Sequence, residues 1–140
     1  PEEVKLKKQA EDLGIKNIIF AGQVSDKEKF SLIKNCTALI LPSHLRSEAY
    51  GMVLVEASMM GKPMISCEIG TGTSFVNQHE ETGLVVKPEN VDEMADAMRI
   101  LYNNNTVTQK LGYNARSRYE NMFSGKALGK AYSAVYQELL

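Results

Sequence analysis

The sequence predicts an α/β domain: a short parallel sheet with helices on both faces, followed by a helical tail. Three observations predict it. Short apolar runs recur at 17–21, 37–41, 63–67 and 84–86, and they do not alternate with polar residues. Such runs suit strands buried on both faces. Helical segments separate most of them, which is the order of a doubly wound sheet, and from residue 90 onward every segment reads as helix.

The elements follow in order. Residues 2–13 form a charged amphipathic helix, with Val4, Leu6 and Leu13 apolar and Gly14 suited to its stop. Residues 17–21 (NIIFA) read as a short buried strand. Ser25-Asp-Lys-Glu28 is a capping box that opens a second helix to about Asn35. Residues 37–41 (TALIL) are the next strand, ended by Pro42. A polar loop, 43–51, leads into a helix over 52–60 with Gly61 as its stop. Strands at 63–67 and 84–86 flank a glycine-rich turn, Gly70-Thr-Gly-Thr73. Asn90-Val-Asp-Glu93 caps a helix to about Tyr102, and helices over 107–121 and 125–140 close the chain, with Ser124 as an N-cap. No repeat, low-complexity tract or linker interrupts the 140 residues, so the chain reads as one domain. It opens on a helix with no strand before it, whereas a doubly wound half begins with a strand. A larger fold, truncated on its N-terminal side, is therefore expected.

Composition narrows the function. Hydrophobic residues are 44% and charged residues 24%, and the net charge is −1 without a long run of one sign. That balance argues against a nucleic-acid binder, which neutralises phosphates with clustered cations. No apolar stretch approaches the ~20 residues that span a bilayer. Cys36 and Cys67 make no disulfide framework or metal-ligand spacing, and read as buried thiols in a reducing, cytoplasmic setting. His44 and His79 are too few and too distant for an obvious metal site, so no metal is expected.

Chemistry concentrates in residues 39–57, LILPSHLRSEAYGMVLVEA. In an open α/β sheet, ligands occupy the crevice beyond the carboxyl ends of strands. The loop after Pro42 lies there. The helix that follows is apolar on all sides and should be buried. Glu56 is its one charge, and a buried carboxylate requires strong donors. Side chains tilt toward a helix N-terminus, so Glu56 should face the crevice. The N–H groups near Gly51, Met52 and Val53 and the helix dipole make an anion site, and Gly51 permits close approach. A pyrophosphate fits there, with Glu56 accepting from ribose hydroxyls and Glu48 from the other end of a sugar nucleotide. The plainer alternatives are a Glu favoured by the dipole alone and a solvated loop Glu48.

The segment SEAYGMVLVEASMMGKPMIS resembles the Glu-x7-Glu region of the family-4 (group 1) retaining glycosyltransferases of GT-B fold. Glu48, Ala49, Tyr50, Gly51, Glu56, Ala57, Gly61 and Pro63 fall in register with it. NIIFAGQV before the Ser-Asp-x-Glu helix, Leu41-Pro-Ser43, Glu81-Thr-Gly-Leu-Val-Val86 and Leu111-Gly-x-Asn-Ala-Arg116 extend the similarity over nearly the whole chain. The resemblance implies a Rossmann-like, C-terminal donor-binding half of such an enzyme, spanning 1–140. It implies that Glu48 holds hydroxyls of the donor sugar and Glu56 the ribose. Amides of Gly51, Met52 and Val53 would hold the diphosphate, with Gln23 and Val24 against the base. The donor would be a nucleoside diphosphate sugar such as a UDP- or GDP-sugar, and neither cofactor nor metal is implied. The partner is an N-terminal acceptor domain, and the same reading admits peripheral membrane contact of the complete enzyme, with a role in polysaccharide or glycoconjugate synthesis.

Two departures stand out. The stretch Gly70-Thr-Gly-Thr-Ser74 replaces the family's Gly-Gly…Glu, and reads either as a phosphate- or sugar-facing turn or as a connector. The family's Arg and Lys for the leaving diphosphate have no counterpart here, since Lys62 and Lys87 are misplaced and read as solvated. His44 reads as a ligand contact or a surface histidine, Arg46 as a phosphate contact or a solvated arginine, and Cys67 as core. Met59 and Met60 read as core, and Tyr102, Tyr113, Tyr119, Tyr132 and Tyr136 as packing residues of the tail, whose last helix the resemblance directs toward the other domain. The rival functions are a non-catalytic nucleotide-binding module, a sugar-nucleotide epimerase or phosphorylase of similar architecture, and a flavodoxin-like regulatory domain. The last would need an acidic pocket at the strand ends, which the sequence does not offer.

Overall fold

A computed structural model describes residues 2–138. Three parallel strands, β1 (Leu39–Leu41), β2 (Met64–Cys67) and β3 (Gly83–Val86), form a sheet in the order β1-β2-β3. Leu39 lies opposite Met64, and Ile65 opposite Leu84. Helices α1 (Glu3–Asp12) and α2 (Asp26–Asn35) precede β1. Helix α3 (Met52–Met59) crosses from β1 to β2, and a single turn, α4 (Thr73–Val76), from β2 to β3. The tail is α5 (Val91–Asn103), α6 (Asn105–Arg118), a π-helical turn (Tyr119–Phe123) and α7 (Gly125–Glu138). Leu139 and Leu140, at the end of the last expected helix, lie outside the described residues.

Central strand β2 is buried along its length, and alternate residues serve opposite faces. Ile65 and Cys67 join Leu84, Val86, Ala97, Leu101 and Leu111 under α5 and α6. Met64 joins Ile33, Leu54, Val55, Ala57, Val76 and Ala115 under α2, α3 and α6. Two cores on two faces are what parallel crossovers produce.

A buried polar knot fixes the entry to β3. The Asn77 amide, fully buried, donates to Ser66 Oγ at 2.9 Å and to the Leu84 carbonyl at 3.2 Å, and its oxygen accepts from the Thr82 hydroxyl at 3.3 Å. Gly83 must be glycine beside it, because a Cβ there would sit 2.1 Å from the Met64 carbonyl oxygen and 2.4 Å from Asn77 Oδ1. A second close approach joins α6 to the turn after α3: a Cβ on Gly112 would lie 2.4 Å from the Gly61 carbonyl oxygen. Arg116 donates to the Met59 carbonyl, satisfying the end of α3, and Asn114 donates to the Glu81 carbonyl at 2.9 Å. The late-helix signature Leu111–Arg116 therefore acts in packing.

Three expectations need correction. Residues 17–21 form no strand: Ile18 and Ile19 are 47% and 90% exposed, because the segment has no ladder partner among the described residues. Helix α3 is not buried all round, since Met52 is 63% exposed where the helix opens into the crevice. Tyr102, Tyr113, Tyr132 and Tyr136 are exposed, leaving Tyr119 as the packed one, against the core under α3. Asn90 caps α5 as expected, accepting from Glu93 N–H, while the Glu93 carboxylate takes the Lys87 N–H.

Candidate functional site at the strand ends

The carboxyl ends of β1, β2 and β3 lead into the loops 42–51, 68–72 and 87–90. A shallow groove along the first is lined by Pro42, Ser43, His44, Leu45, Ser47 and Glu48. A smaller, mainly apolar pocket shares Pro42 and His44 with it and reaches Cys67, Val91 and Met94.

Gly51 opens α3 in the left-handed region, φ +75°, where an L side chain is strained, and a Cβ would meet Leu54 at 2.8 Å. Glu48 folds back and accepts the Gly51 N–H at 2.9 Å through Oε1. The Gly51 amide is thus already taken, which corrects the expectation of a free N–H there. A carboxylate is the natural occupant of a helix N-terminus, for the same reason an anionic ligand would be. Among the described residues, the Met52 and Val53 amides have no acceptor, and Glu48 Oε2 has no donor.

Glu56 sits one turn into α3, half-buried rather than buried. Its partner is Lys29 on α2, Nζ to Oε1 at 2.8 Å; Lys29 also reaches Asp26 at 3.2 Å and lies over the Phe30 ring. Glu56 and then Asp26 hold the lysine ammonium above its ordinary range. Sequence reasoning missed Lys29. The signal was only indirect: a lone charge on an apolar helix demanded a donor, but nothing in the chain marked a lysine 27 residues earlier as that donor. Gln23, exposed, and Val24, half-buried, lie just before the Ser25 cap of α2, on the same helix entrance that presents Lys29 to Glu56.

The Gly70–Ser74 turn is tied to the crevice loop. Gly72 N–H donates to the Ala49 carbonyl at 2.8 Å, and a Cβ on Gly72 would fall 2.5 Å from the Tyr50 ring. Gly70 adopts φ +64°, and the Arg46 guanidinium lies 3.2 Å from where its Cβ would be. Glu68 accepts from Gly70 N–H and from the Ser74 hydroxyl. Cys67 is core, and burial raises its thiol above the ordinary range. Lys87 is exposed and pairs with Glu93 at 3.1 Å. No group of three or more His, Cys, Asp or Glu among the described residues could hold a metal ion. No described helix is long and apolar enough to cross a membrane.

The structure brings Glu48, Gly51, Met52, Val53 and Glu56 to one helix opening. Comparable domains occur in solved proteins. Sucrose-phosphate synthase from Thermosynechococcus elongatus matches with a TM-score of 0.85 and 24% identity, over 99% of this chain and 34% of that one. HepE of Anabaena, solved in complex with UDP, matches with a TM-score of 0.85 and 22% identity, over 96% of this chain and 36% of that one. These likenesses establish the Rossmann-like fold. In sequence, the chain is 40% identical over 140 residues to O-antigen chain mannosyltransferase C of Escherichia coli, covering 100% of this chain and 38% of that protein. It is 47% identical over 124 residues to D-rhamnosyltransferase WbpZ of Pseudomonas aeruginosa, covering 89% of this chain and 32% of that protein. The chain therefore spans about a third of these relatives' length, at 38% and 32%. With residues 1–118 matching the family of glycosyl transferases group 1, the chain belongs to that family.

Proposed function

We propose that this chain is the C-terminal, donor-binding domain of a family-4 retaining glycosyltransferase that moves a sugar from a nucleoside diphosphate to an acceptor hydroxyl. The observation that carries the reading is the opening of α3. Two amides without protein acceptors, Met52 and Val53, stand between two carboxylates that each have an oxygen to offer. A diphosphate suits the amides and the helix dipole. The Gly51 N–H locks Glu48 in place, so Oε2 is pre-set to accept from a hydroxyl of the donor sugar. Glu56, oriented by Lys29, accepts from the ribose, and Gln23 and Val24 flank the base.

The anomeric carbon–oxygen bond to the diphosphate breaks, and the diphosphate leaves with the electron pair. The acceptor oxygen bonds on the same face and releases its proton. The chain's contribution is to hold the donor and to stabilise leaving-group charge, without metal or cofactor. The spacing differs from glycoside hydrolysis, where two carboxyls flank the scissile bond. The relatives' names, mannosyltransferase and D-rhamnosyltransferase, support a sugar of D-manno configuration and a role in surface polysaccharide assembly. Their greater length leaves room for an N-terminal acceptor domain and for the strands that would pair the β1 edge. The two free thiols fit a cytoplasmic setting.

Calorimetry of the full-length protein with UDP, GDP and their sugars tests the reading. One nucleotide series should bind, and Glu56→Ala should weaken it by roughly 10- to 100-fold, the effect of a lost charge-assisted hydrogen bond. Absence of binding to every nucleotide would sink the proposal. Nucleotide binding without any sugar transfer would favour the non-catalytic module instead.

A further inference from the structure

We propose that Arg46 is a cationic contact for the donor's diphosphate, supplied from the crevice loop of this domain; the inference rests on the donor reading above. Its guanidinium lies against Gly70, 3.2 Å from the position a Cβ would take, so the glycine leaves it the space. Gly72, two residues on, packs on Ala49 and Tyr50, the last loop residues before Gly51. Arg46 is thus set at the seam between the glycine turn and the loop that feeds the α3 opening.

Arg46 is also uncompensated. Among the described residues it takes part in no ion pair. Two carboxylates flank this seam in the chain, and neither pairs with Arg46. Glu48 turns to the Gly51 N–H. Glu68 turns to the Gly70 N–H and the Ser74 hydroxyl. An arginine without a carboxylate, in an anion-binding crevice, presents the fork that phosphate oxygens match. Lys29 is held by Glu56 and Asp26, and Lys87, on the strand-end pocket, by Glu93. Arg46 therefore offers a cation of the crevice loop that no carboxylate neutralises among the described residues.

The test separates the diphosphate from the rest of the nucleotide. In the full-length protein, affinities for UDP and UMP, or GDP and GMP, are measured by calorimetry for wild type, Arg46→Gln, Arg46→Lys and Glu56→Ala. Arg46→Gln should weaken the diphosphate by about tenfold, as expected for one exposed charged contact, and shift the monophosphate less. Arg46→Lys should fall between, because a lysine keeps the charge and loses the fork. Glu56→Ala should weaken both nucleotides alike. If Arg46→Gln leaves the diphosphate-to-monophosphate ratio unchanged while Glu56→Ala weakens both, Arg46 has no such role and the donor reading stands. If wild type binds no nucleotide, both fall.

Discussion

Gly83→Ala and Gly129→Ala are the same chemical change with opposite expected signs. At Gly83 the added methyl would meet the Met64 carbonyl oxygen at 2.1 Å and Asn77 Oδ1 at 2.4 Å. One neighbour is backbone of the central strand, and the other is the fully buried amide that bonds Ser66, Leu84 and Thr82. Neither can retreat cheaply. Overpacking costs ~1–3 kcal/mol, and displacing Asn77 from a buried network adds ~1–3 kcal/mol for each group left unpaired. The expected loss is therefore about 3–5 kcal/mol, a large share of a domain's total stability. At Gly129, inside α7, a Cβ meets nothing within 4 Å, so alanine should stabilise the helix by about 0.5–1 kcal/mol. Urea unfolding of the full-length protein and both variants, followed through the transition of this domain, reads the midpoints. A Gly83→Ala midpoint within error of wild type would refute the packing argument, and so would a Gly129→Ala loss as large as that at Gly83.

Two further predictions concern caps and thiols. Ser25→Ala removes the hydroxyl that caps α2 and that donates to the Glu28 carboxylate at 2.6 Å, for a loss of about 1 kcal/mol. Bonds from the Ser25 hydroxyl and then its N–H hold Glu28 below its ordinary range, so its contribution is full above the unfolded carboxyl pKa and fades as pH falls through the lower folded value. Acid unfolding should therefore show a smaller Ser25→Ala deficit than neutral unfolding, and an equal deficit at both would contradict the assignment. Burial raises both thiols, and Cys67 is 4% exposed whereas Cys36 is half-buried. Mass spectrometry of maleimide labelling near neutral pH should find Cys36 modified first; labelling of Cys67 at the unfolded rate would show that β2 is not closed over it.

Much of this architecture was legible because its causes are local. The capping box at Ser25 and Glu28 is a contact over three residues, and it forms as read. The boundaries of α3 follow from Gly51 and Gly61, both at positive φ. The apolar runs of β2 and β3 could be read because strands covered on both faces leave no polar alternation. The run at 17–21 carries the same signal, but pairing is not a local property, and its neighbours in the described chain do not supply a partner.

At the candidate site the division is similar. The sequence by itself determined that Glu48, Gly51, Met52, Val53 and Glu56 share one helix opening, because nine residues of loop and helix leave little freedom in their spacing. The need of Glu56 for a donor was also written there, in its isolation on an apolar helix. Only the tertiary structure decided that the donor is Lys29, that Glu48 holds the Gly51 amide, and that Arg46 rests on Gly70. These choices depend on how α2, the crevice loop and the glycine turn come together in space. Side-chain partners across such gaps are set by packing, which no pattern along the chain encodes.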